Sequence, residues 1–145
     1  MGGCTLIDIW KGIIIDTPVT GVKLSERPLI GNLLINDEYK KQCHSYLQQI
    51  VDGYFDNGYF ENSIGKLDGL IGEHVKNDAT GFYTYEQYTA VVNTLKEFGK
   101  LRAESMQGQI NGTIPSTEKE QSTSPDSLID GSNITISTMG SQSKK

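Results

Sequence analysis

The chain has 145 residues and a formal net charge of -5, with 13 basic and 18 acidic side chains. This length suits one domain of ordinary size. The basic residues are interspersed with acidic ones, so the sequence lacks the basic surface that binds nucleic acid, and its apolar runs are too short to span a membrane. Two cysteines, Cys4 and Cys43, match no zinc or redox spacing, and we interpret both as unpaired.

The N-terminal stretch MGGCTLIDIWKGIIID has neither the basic start nor the unbroken apolar segment of a signal peptide. It does not fit a lipidation site either, because Leu6 stands where Ser or Thr is required. The overlapping stretch IIIDTPVTGVKLSERP combines β-branched residues with two prolines, which favours extended backbone. We therefore predict an extended strap over residues 15–27 that lies across other structure.

Two helices are predicted after the strap. Ser25 is the expected cap of a short helix that has Pro28 in its first turn. Asn36 is the expected cap of a longer amphipathic helix. The apolar residues of this longer helix recur at helical spacing, and they are Tyr39, Cys43, Tyr46, Leu47, Ile50, Val51 and Tyr54.

The stretch DGYFDNGYFEN, Asp52 to Asn62, is predicted to be a corner between two helices, with the reversal at Asp56, Asn57 and Gly58. The helix after it carries one apolar face. This face comprises Phe60, Ile64, Leu67, Leu70, Ile71, His74 and Val75.

A fourth helix is predicted to start at Thr84, because Gln87 three residues later completes a capping box. We expect it to end near Gly108 or Gly112, where glycine can adopt the left-handed cap. Its apolar stripe consists of Tyr88, Val91, Val92, Leu95, Phe98 and Leu101, and it extends towards Met106.

The position of the core is predicted from the aromatic residues, because they bury large areas. Every Tyr and Phe lies between Tyr39 and Phe98, so we expect the core within this range. The basic residues Lys96, Lys100 and Arg102 alternate with glutamates, and we interpret them as a solvated face near the end of the fourth helix.

Residues 113–145 form a tail without aromatic residues, in which 13 of 33 residues are Ser or Thr. Such a composition cannot bury enough apolar surface to offset chain entropy, so we predict that the tail is mostly disordered. Within it, SLIDGSNITIST alternates weakly around Ile134 and Ile136 and is a candidate for a short edge strand. The prediction for the whole chain is a mainly α fold, an antiparallel helical layer with an extended N-terminal strap and a disordered tail.

The corner at Asp52 to Asn62 is rich in acids and amides, as calcium-binding loops are. Such a loop needs oxygen ligands at positions 1, 3, 5 and 12 and glycine at position 6. With Gly58 at position 6, only Asn57 among these four positions offers an oxygen, because the others are Gly53, Phe55 and Ile64. We therefore interpret the acids as solvating a helix corner.

No catalytic, cofactor-binding or metal-binding residue is assigned from the sequence. The two histidines, His44 and His74, suggest a shared metal or proton-transfer role, but ordinary helical histidines are favoured because no third ligand has a matching spacing. Ser45 beside His44 is no nucleophile pair, since consecutive helical residues do not face each other. The pair Gly65 and Lys66 lacks the earlier glycine of a phosphate-binding loop.

Four blocks in a fixed order give the chain its resemblance to a known family. They are IDTPVTGVKLSERPLIGNLL, EYKKQCHSYLQQIVDGYF, FYTYEQY and LKEFGKLRAESMQGQI. Together they resemble the C-terminal part of the CotH family, the atypical protein kinases named for a spore-coat protein. The resemblance covers about Ile15 to Gln109, and SLIDGSNITISTMGSQ in the tail is similar to the closing segment of such relatives.

The resemblance implies a kinase-like fold that transfers phosphate from ATP to serines of coat proteins with the help of a divalent metal. The family's catalytic residues lie upstream of the matching blocks, so none is carried over to this chain. We expect a non-matching N-terminus over 1–14, the strap over 15–27, the helical C-terminal part of a CotH-type kinase domain over 28–112, and the tail over 113–145. This chain alone is expected to bind no cofactor and to be inactive.

The alternative function is a free-standing helical interaction module of a coat or surface assembly, without catalysis. A metal-dependent hydrolase or a calcium sensor is a third and weaker alternative. Expected partners are coat proteins or the remaining kinase lobe, and neither nucleic acid nor a membrane is expected. Weak self-association is expected as well, because the strap and the short helix would expose apolar surface. The resemblance implies a location at the spore coat or the cell surface.

Overall fold

The computed structural model describes residues 14–19 and 21–139. Five α-helices form most of it, and no strand occurs within these residues, so the predicted mainly α fold is confirmed. The helices are α1 (Pro28–Ile35), α2 (Asp37–Ile50), α3 (Tyr59–Asn77), α4 (Tyr85–Asn111) and α5 (Glu118–Thr123). Short 3-10 helices lie at Leu24–Glu26, Pro125–Ser127 and Ile136–Met139. Across the described part of the chain, no helix has the length and apolar character needed to cross a membrane.

The start of α1 differs in part from the prediction. Pro28 occupies the first turn, as expected. Ser25 does not cap the helix, because it lies inside the 3-10 turn Leu24–Glu26 and the cap position falls on Arg27. The backbone N–H of Arg27 donates to the carbonyl of Leu24 at 3.0 Å, so this 3-10 turn leads the strap directly into α1.

The corner between α2 and α3 is wider than the predicted reversal. Asn36 caps α2 as predicted, accepting the N–H of Glu38 at 2.9 Å, but after Ile50 the chain continues as a π-helix over Val51–Asp56. A π-helical turn holds one more residue than an α-helical turn and rotates the side chains that follow. Val51 is consequently buried, at 1 % exposure, whereas Tyr54 is 55 % exposed rather than buried as expected. Gly58, at φ 74°, completes the reversal.

The helices α3 and α4 pack as an antiparallel hairpin. The predicted capping box is present, since Thr84 accepts the N–H of Gln87 and the Gln87 side chain accepts the N–H of Thr84. The Tyr88 hydroxyl donates to Asp68 at 2.9 Å and links the two helices. The helix α4 ends at Asn111 with Gly112 in the left-handed conformation, one of the two predicted ends.

The described tail residues differ from the predicted disorder, because 113–139 fold back onto α4. Ile134 is buried at 2 % exposure and contacts Leu101, with Phe98 and Ile129 packed at their edge. Ile134 therefore docks as anticipated, although without forming a strand. Two further residues, Ile114 and Gln121, are also buried. The composition averaged over the tail concealed these few well-placed residues, which anchor the segment to the fold although most of the residues between them are exposed.

Candidate functional site

The strap crosses the end of α4 and the connection to α5, contacts that the sequence did not indicate. The backbone N–H of Asp16 donates to the carbonyl of Ser116 at 3.0 Å, and the N–H of Ile15 donates to Oε1 of Gln109 at 3.1 Å. Thr17 accepts the N–H of Glu118 at 2.9 Å through its hydroxyl. Each of these bonds joins residues about one hundred positions apart, so the strap closes the fold.

Asp16 is the centre of a buried polar cluster, and its side chain is only 4 % exposed. One carboxylate oxygen lies 2.8 Å from Nε2 of His44. The other accepts the hydroxyl of Ser116 at 2.5 Å and lies 2.8 Å from Nζ of Lys40. Lys40 and His44 stand one helical turn apart on α2, which directs both side chains to the same carboxylate.

The electrostatics of the cluster favour the ionised carboxylate. Burial by itself raises the pKa of Asp16, because it penalises the charged form. The hydrogen bonds from Lys40, Ser116 and His44, with the positive charge of Lys40, outweigh this effect and hold the pKa below its ordinary value of 3.8. The carboxylate is therefore charged at neutral pH and accepts donors from two segments of the chain, α2 and the connection after α4.

The geometry of the cluster suits a structural link between segments of the chain rather than catalysis. The hydroxyl of Ser116 is bound to Asp16 and not to the ring of His44, so the three residues do not form a nucleophile, base and orienting acid in series. Three donors of the chain itself already bind the oxygens of Asp16, and among the described residues it belongs to no group of three or more His, Cys, Asp or Glu residues that could hold a metal ion. The chemical consequence is a buried crosslink between the strap, α2 and the connection after α4.

The stability of the chain is expected to fall in acid through Asp16. Because its pKa is lowered in the folded state, its contribution is fully present above the ordinary value of 3.8 and is lost as the pH falls through the lower folded value. We expect the midpoint of urea unfolding to drop as the pH falls from about 5 to about 2. The pKa values of Asp78, Glu86 and Asp130 are also lowered by local hydrogen bonds, so the wild type must be compared with Asp16→Asn. An equal drop in both proteins would contradict this role of Asp16.

The histidines have different surroundings in the structure. His44 is half-buried against Asp16, whereas His74 is exposed near the end of α3. Among the side chains that the structure describes, no group of three or more His, Cys, Asp or Glu residues is arranged to hold a metal ion. In the predicted corner, Asn57 donates to the carbonyl of Gly53 at 2.7 Å and accepts the N–H of Tyr59 at 2.9 Å, so its amide is used to shape the turn.

Arg102 is a correction to the predicted solvated face on α4. Its side chain is buried and lies over the ring of Phe98, with 6.0 Å between the guanidinium carbon and the ring centroid. Burial lowers the pKa of Arg102 to about 10, so it remains protonated at neutral pH. Arg102 therefore belongs to the interior between α4 and the elements packed on it. The occurrence of basic residues near a helix C-terminus does not by itself show that Arg102 is buried while Lys100 is exposed.

The loop between α3 and α4 presents aromatic residues to solvent. Phe82 is 99 % exposed, and Tyr83 is largely exposed beside it. Both line a cavity of about 810 Å³, which also touches Val91 on α4 and Met139 at the end of the described residues. Exposed aromatic side chains next to an apolar cavity are features of protein interaction surfaces.

Comparison with known proteins gives one family. The model of the family described as "CotH kinase protein" matches residues 8–106, more than half of the chain. The match contains all of α1, α2 and α3 and most of α4, and it starts inside the segment 1–14 for which no resemblance was expected. No curated protein and no solved structure matches the chain.

Proposed function

The chain belongs to the CotH kinase protein family, and from this premise we propose that it is the helical C-terminal part of a CotH-type kinase domain. The match over residues 8–106 carries the proposal. The family activity is the transfer of phosphate from ATP to proteins of the spore coat. In this proposal the chain contributes structure to that activity and does not itself contain the nucleotide site.

Phosphoryl transfer needs several groups that, in this proposal, the rest of the kinase domain supplies. A cationic group must hold the phosphates, acids must bind the metal, and a carboxylate must orient the attacking hydroxyl. Asp16 is the buried acid in the described residues, and it does not fit a metal-binding role because Lys40, His44 and Ser116 already occupy its oxygens. ATP and a divalent metal are therefore proposed to bind residues outside those that this chain supplies.

The apolar surface of α1 supports a role in packing against a larger body. Leu29 and Ile35 are more than three-quarters exposed although both lie on a short helix that the strap leads into. Exposed apolar residues in such numbers are typical of an interface. We propose that this surface contacts the remaining part of a kinase lobe or a coat protein.

The alternative function, an interaction module without catalysis, is favoured by a different surface. Phe82 and Tyr83 project from the loop between α3 and α4, at the opposite end of those helices from the corner at Gly58. Aromatic residues supply much of the binding energy in protein interfaces. A module of this kind would bind a coat or surface protein through the loop and would need no nucleotide.

The test of the proposed function is nucleotide binding. We expect calorimetric titration of the chain with ATP and magnesium to give only heats of dilution, because in this proposal the groups that hold the phosphates lie outside the chain. A complete CotH-type kinase domain, titrated in the same buffer, serves as the positive control. Saturable binding of ATP to this chain would contradict the proposal.

A complementation assay separates the two functions. The chain is mixed with a CotH-type domain cut before the region that matches residues 8–106, and transfer of labelled phosphate to a coat protein is measured. Restored transfer supports the kinase part, and Leu29→Asp on α1 should then reduce it. Binding of the coat protein without any transfer, lost on Phe82→Ala, would favour the interaction module instead.

A further inference from the structure

Helix α3 uses only part of its predicted apolar face to pack against α4. Phe60 and Val75 are half-buried, and Gly72 is buried beside Tyr88 of α4. Three apolar side chains next to this packed side remain open to solvent, and they are Leu67 at 58 %, Leu70 at 69 % and Ile71 at 43 % exposure. An exposed apolar stripe on a regular helix is typical of a protein interface.

Two charged residues border the exposed stripe on the side away from α4. Lys66 and Glu73 are both exposed, and their separation of seven residues places them two turns apart along one edge of the helix. Lys66 comes directly before Leu67, and Glu73 comes three residues after Leu70. The stripe therefore has a basic group near its start and an acidic group near its end. We call Leu67, Leu70, Ile71, Lys66 and Glu73 the α3 face.

A second copy of α3 fits the α3 face when the two helices run in opposite directions. Residue numbers then rise along one helix and fall along the other, so the numbers of facing residues have a constant sum. When Leu67 faces Leu70 of the second copy, Leu70 also faces Leu67 of that copy, and the two-fold symmetry is satisfied. In the same register Ile71 comes opposite Ile64 of the second copy, beside the leucines. Apolar side chains therefore meet apolar side chains along the stripe.

The charges at the edge of the α3 face are complementary in this antiparallel register. Lys66 comes opposite Glu73 of the second copy, and the two-fold axis repeats the pair, so one dimer contains two ion pairs. A parallel pairing of the same stripe would instead place Glu73 opposite Asp78 of the second copy, at the end of α3, and these like charges repel. Charges that flank an apolar seam between helices determine the partner and its orientation. A second copy in the antiparallel orientation is the occupant that these charges favour.

The size of the contact indicates a weak dimer. The 19 residues of α3 span about 28 Å, and a helix is about 10 Å wide, so each copy covers on the order of 300 Å². The total is well below the roughly 1,200 Å² at which the range of stable complexes begins. We therefore expect a dissociation constant on the order of 100 µM. A two-fold contact uses the same surface of both copies, so association stops at the dimer.

We infer that two copies of the chain associate through the α3 face, with their α3 helices antiparallel. The inference is independent of the proposed function, because it concerns neither the nucleotide nor a coat protein. It also assigns the expected self-association to α3 rather than to the strap and α1. The exposed apolar residues of α1 then stay available to the rest of a kinase lobe.

Sedimentation equilibrium over about 10 to 1000 µM protein tests the inference. Lys66→Glu turns both ion pairs into pairs of glutamates and should weaken the association about tenfold. Addition of Glu73→Lys to this variant exchanges the two charges within each copy and restores both opposite pairs, so the dissociation constant should return to within about twofold of the wild-type value. Leu70→Asp places a charge in the centre of the stripe and should leave only monomer.

The matched control is Lys41→Glu on α2. Lys41 is exposed and lies outside the α3 face, so this variant changes the net charge by the same amount as Lys66→Glu and should leave the dissociation constant unchanged. Circular dichroism confirms that every variant retains its helices. A wild type that stays monomeric throughout the range, or a Lys66→Glu variant that Glu73→Lys does not rescue, would overturn the inference. Association that is lost on Leu29→Asp but persists in Leu70→Asp would assign the contact to α1 and also overturn it.

Discussion

Replacement of Asp16 by alanine should lower the free energy of unfolding by about 3 kcal/mol. The substitution removes the common acceptor of His44, Lys40 and Ser116 and leaves their donors without it. Loss of one partner from a buried pair costs about 3–5 kcal/mol, and the lower end applies because Lys40 and His44 keep 35 % and 22 % exposure and regain water in part. Urea unfolding followed by circular dichroism measures the change.

Two further variants identify the cause of that loss. Asp126→Ala removes an exposed aspartate near the C-terminal end of α5 and should change the free energy of unfolding by less than about 0.5 kcal/mol. Asp16→Asn keeps an acceptor of similar shape without the charge, so it should lower the free energy of unfolding by an amount between those of Asp126→Ala and Asp16→Ala. If Asp16→Ala were as stable as Asp126→Ala, the cluster would not hold the strap.

Replacement of Gly99 by alanine should destabilise the packing of α3 on α4 by about 2 kcal/mol. A Cβ at position 99 would lie 2.0 Å from Cε1 of Phe60 and 2.6 Å from its Cζ, so the ring must move. The ring also packs against Phe55, with 5.1 Å between centroids. The gain in helix propensity, up to about 1 kcal/mol, offsets only part of the cost. Thermal unfolding monitored by circular dichroism measures the result.

Gly65→Ala is the matched control for this substitution, because Gly65 is also inside a helix but has open space around it. It should stabilise the chain by about 0.5–1 kcal/mol, a change of opposite sign. Phe60→Leu combined with Gly99→Ala should recover part of the lost stability, since the smaller side chain makes room. Equal effects of Gly65→Ala and Gly99→Ala would show that Phe60 does not approach α4 as closely as the structure has it.

The helix ends were predictable because their signals are local. Asn36 caps α2, Thr84 and Gln87 form the capping box of α4, and Gly112 takes the left-handed end. Each feature depends on a side chain bonding to backbone within three residues. The same local signals identified Pro28 in the first turn of α1.

The position of the core was not predictable in this way. Aromatic content placed it between Tyr39 and Phe98, yet Leu101, Met106 and Ile134 are buried while Phe82 is exposed. Close approach to the second half of α4 is made possible by residues without bulk, Gly99 and Gly108, whose neighbours would clash with any added Cβ. A small residue lets a side chain from a distant part of the sequence pack closely against the helix. Counting the large residues of a sequence does not detect such a position.

Asp16 shows the same limit for the candidate site. Its partners are 24, 28 and 100 residues away, so no spacing in the sequence joins them. The available signal was an acid directly after three isoleucines, a position where an unpaired charge would be costly. That signal predicts a partner for the carboxylate but not which residues provide it.

The strap has a consequence for the order in which the chain folds during synthesis. Asp16 leaves the ribosome 100 residues before Ser116, its partner, and at roughly 5–20 residues per second this interval lasts about 5 to 20 seconds. The helices α1 to α3 are complete by then, and Ile14 and Ile15 can already contact α1 and α2. The hydrogen bonds of the strap to Gln109, Ser116 and Glu118 form only after those residues have been made. The strap is therefore secured later than the helices that follow it in the chain, and chaperones that recognise nascent apolar segments have that interval in which to bind it.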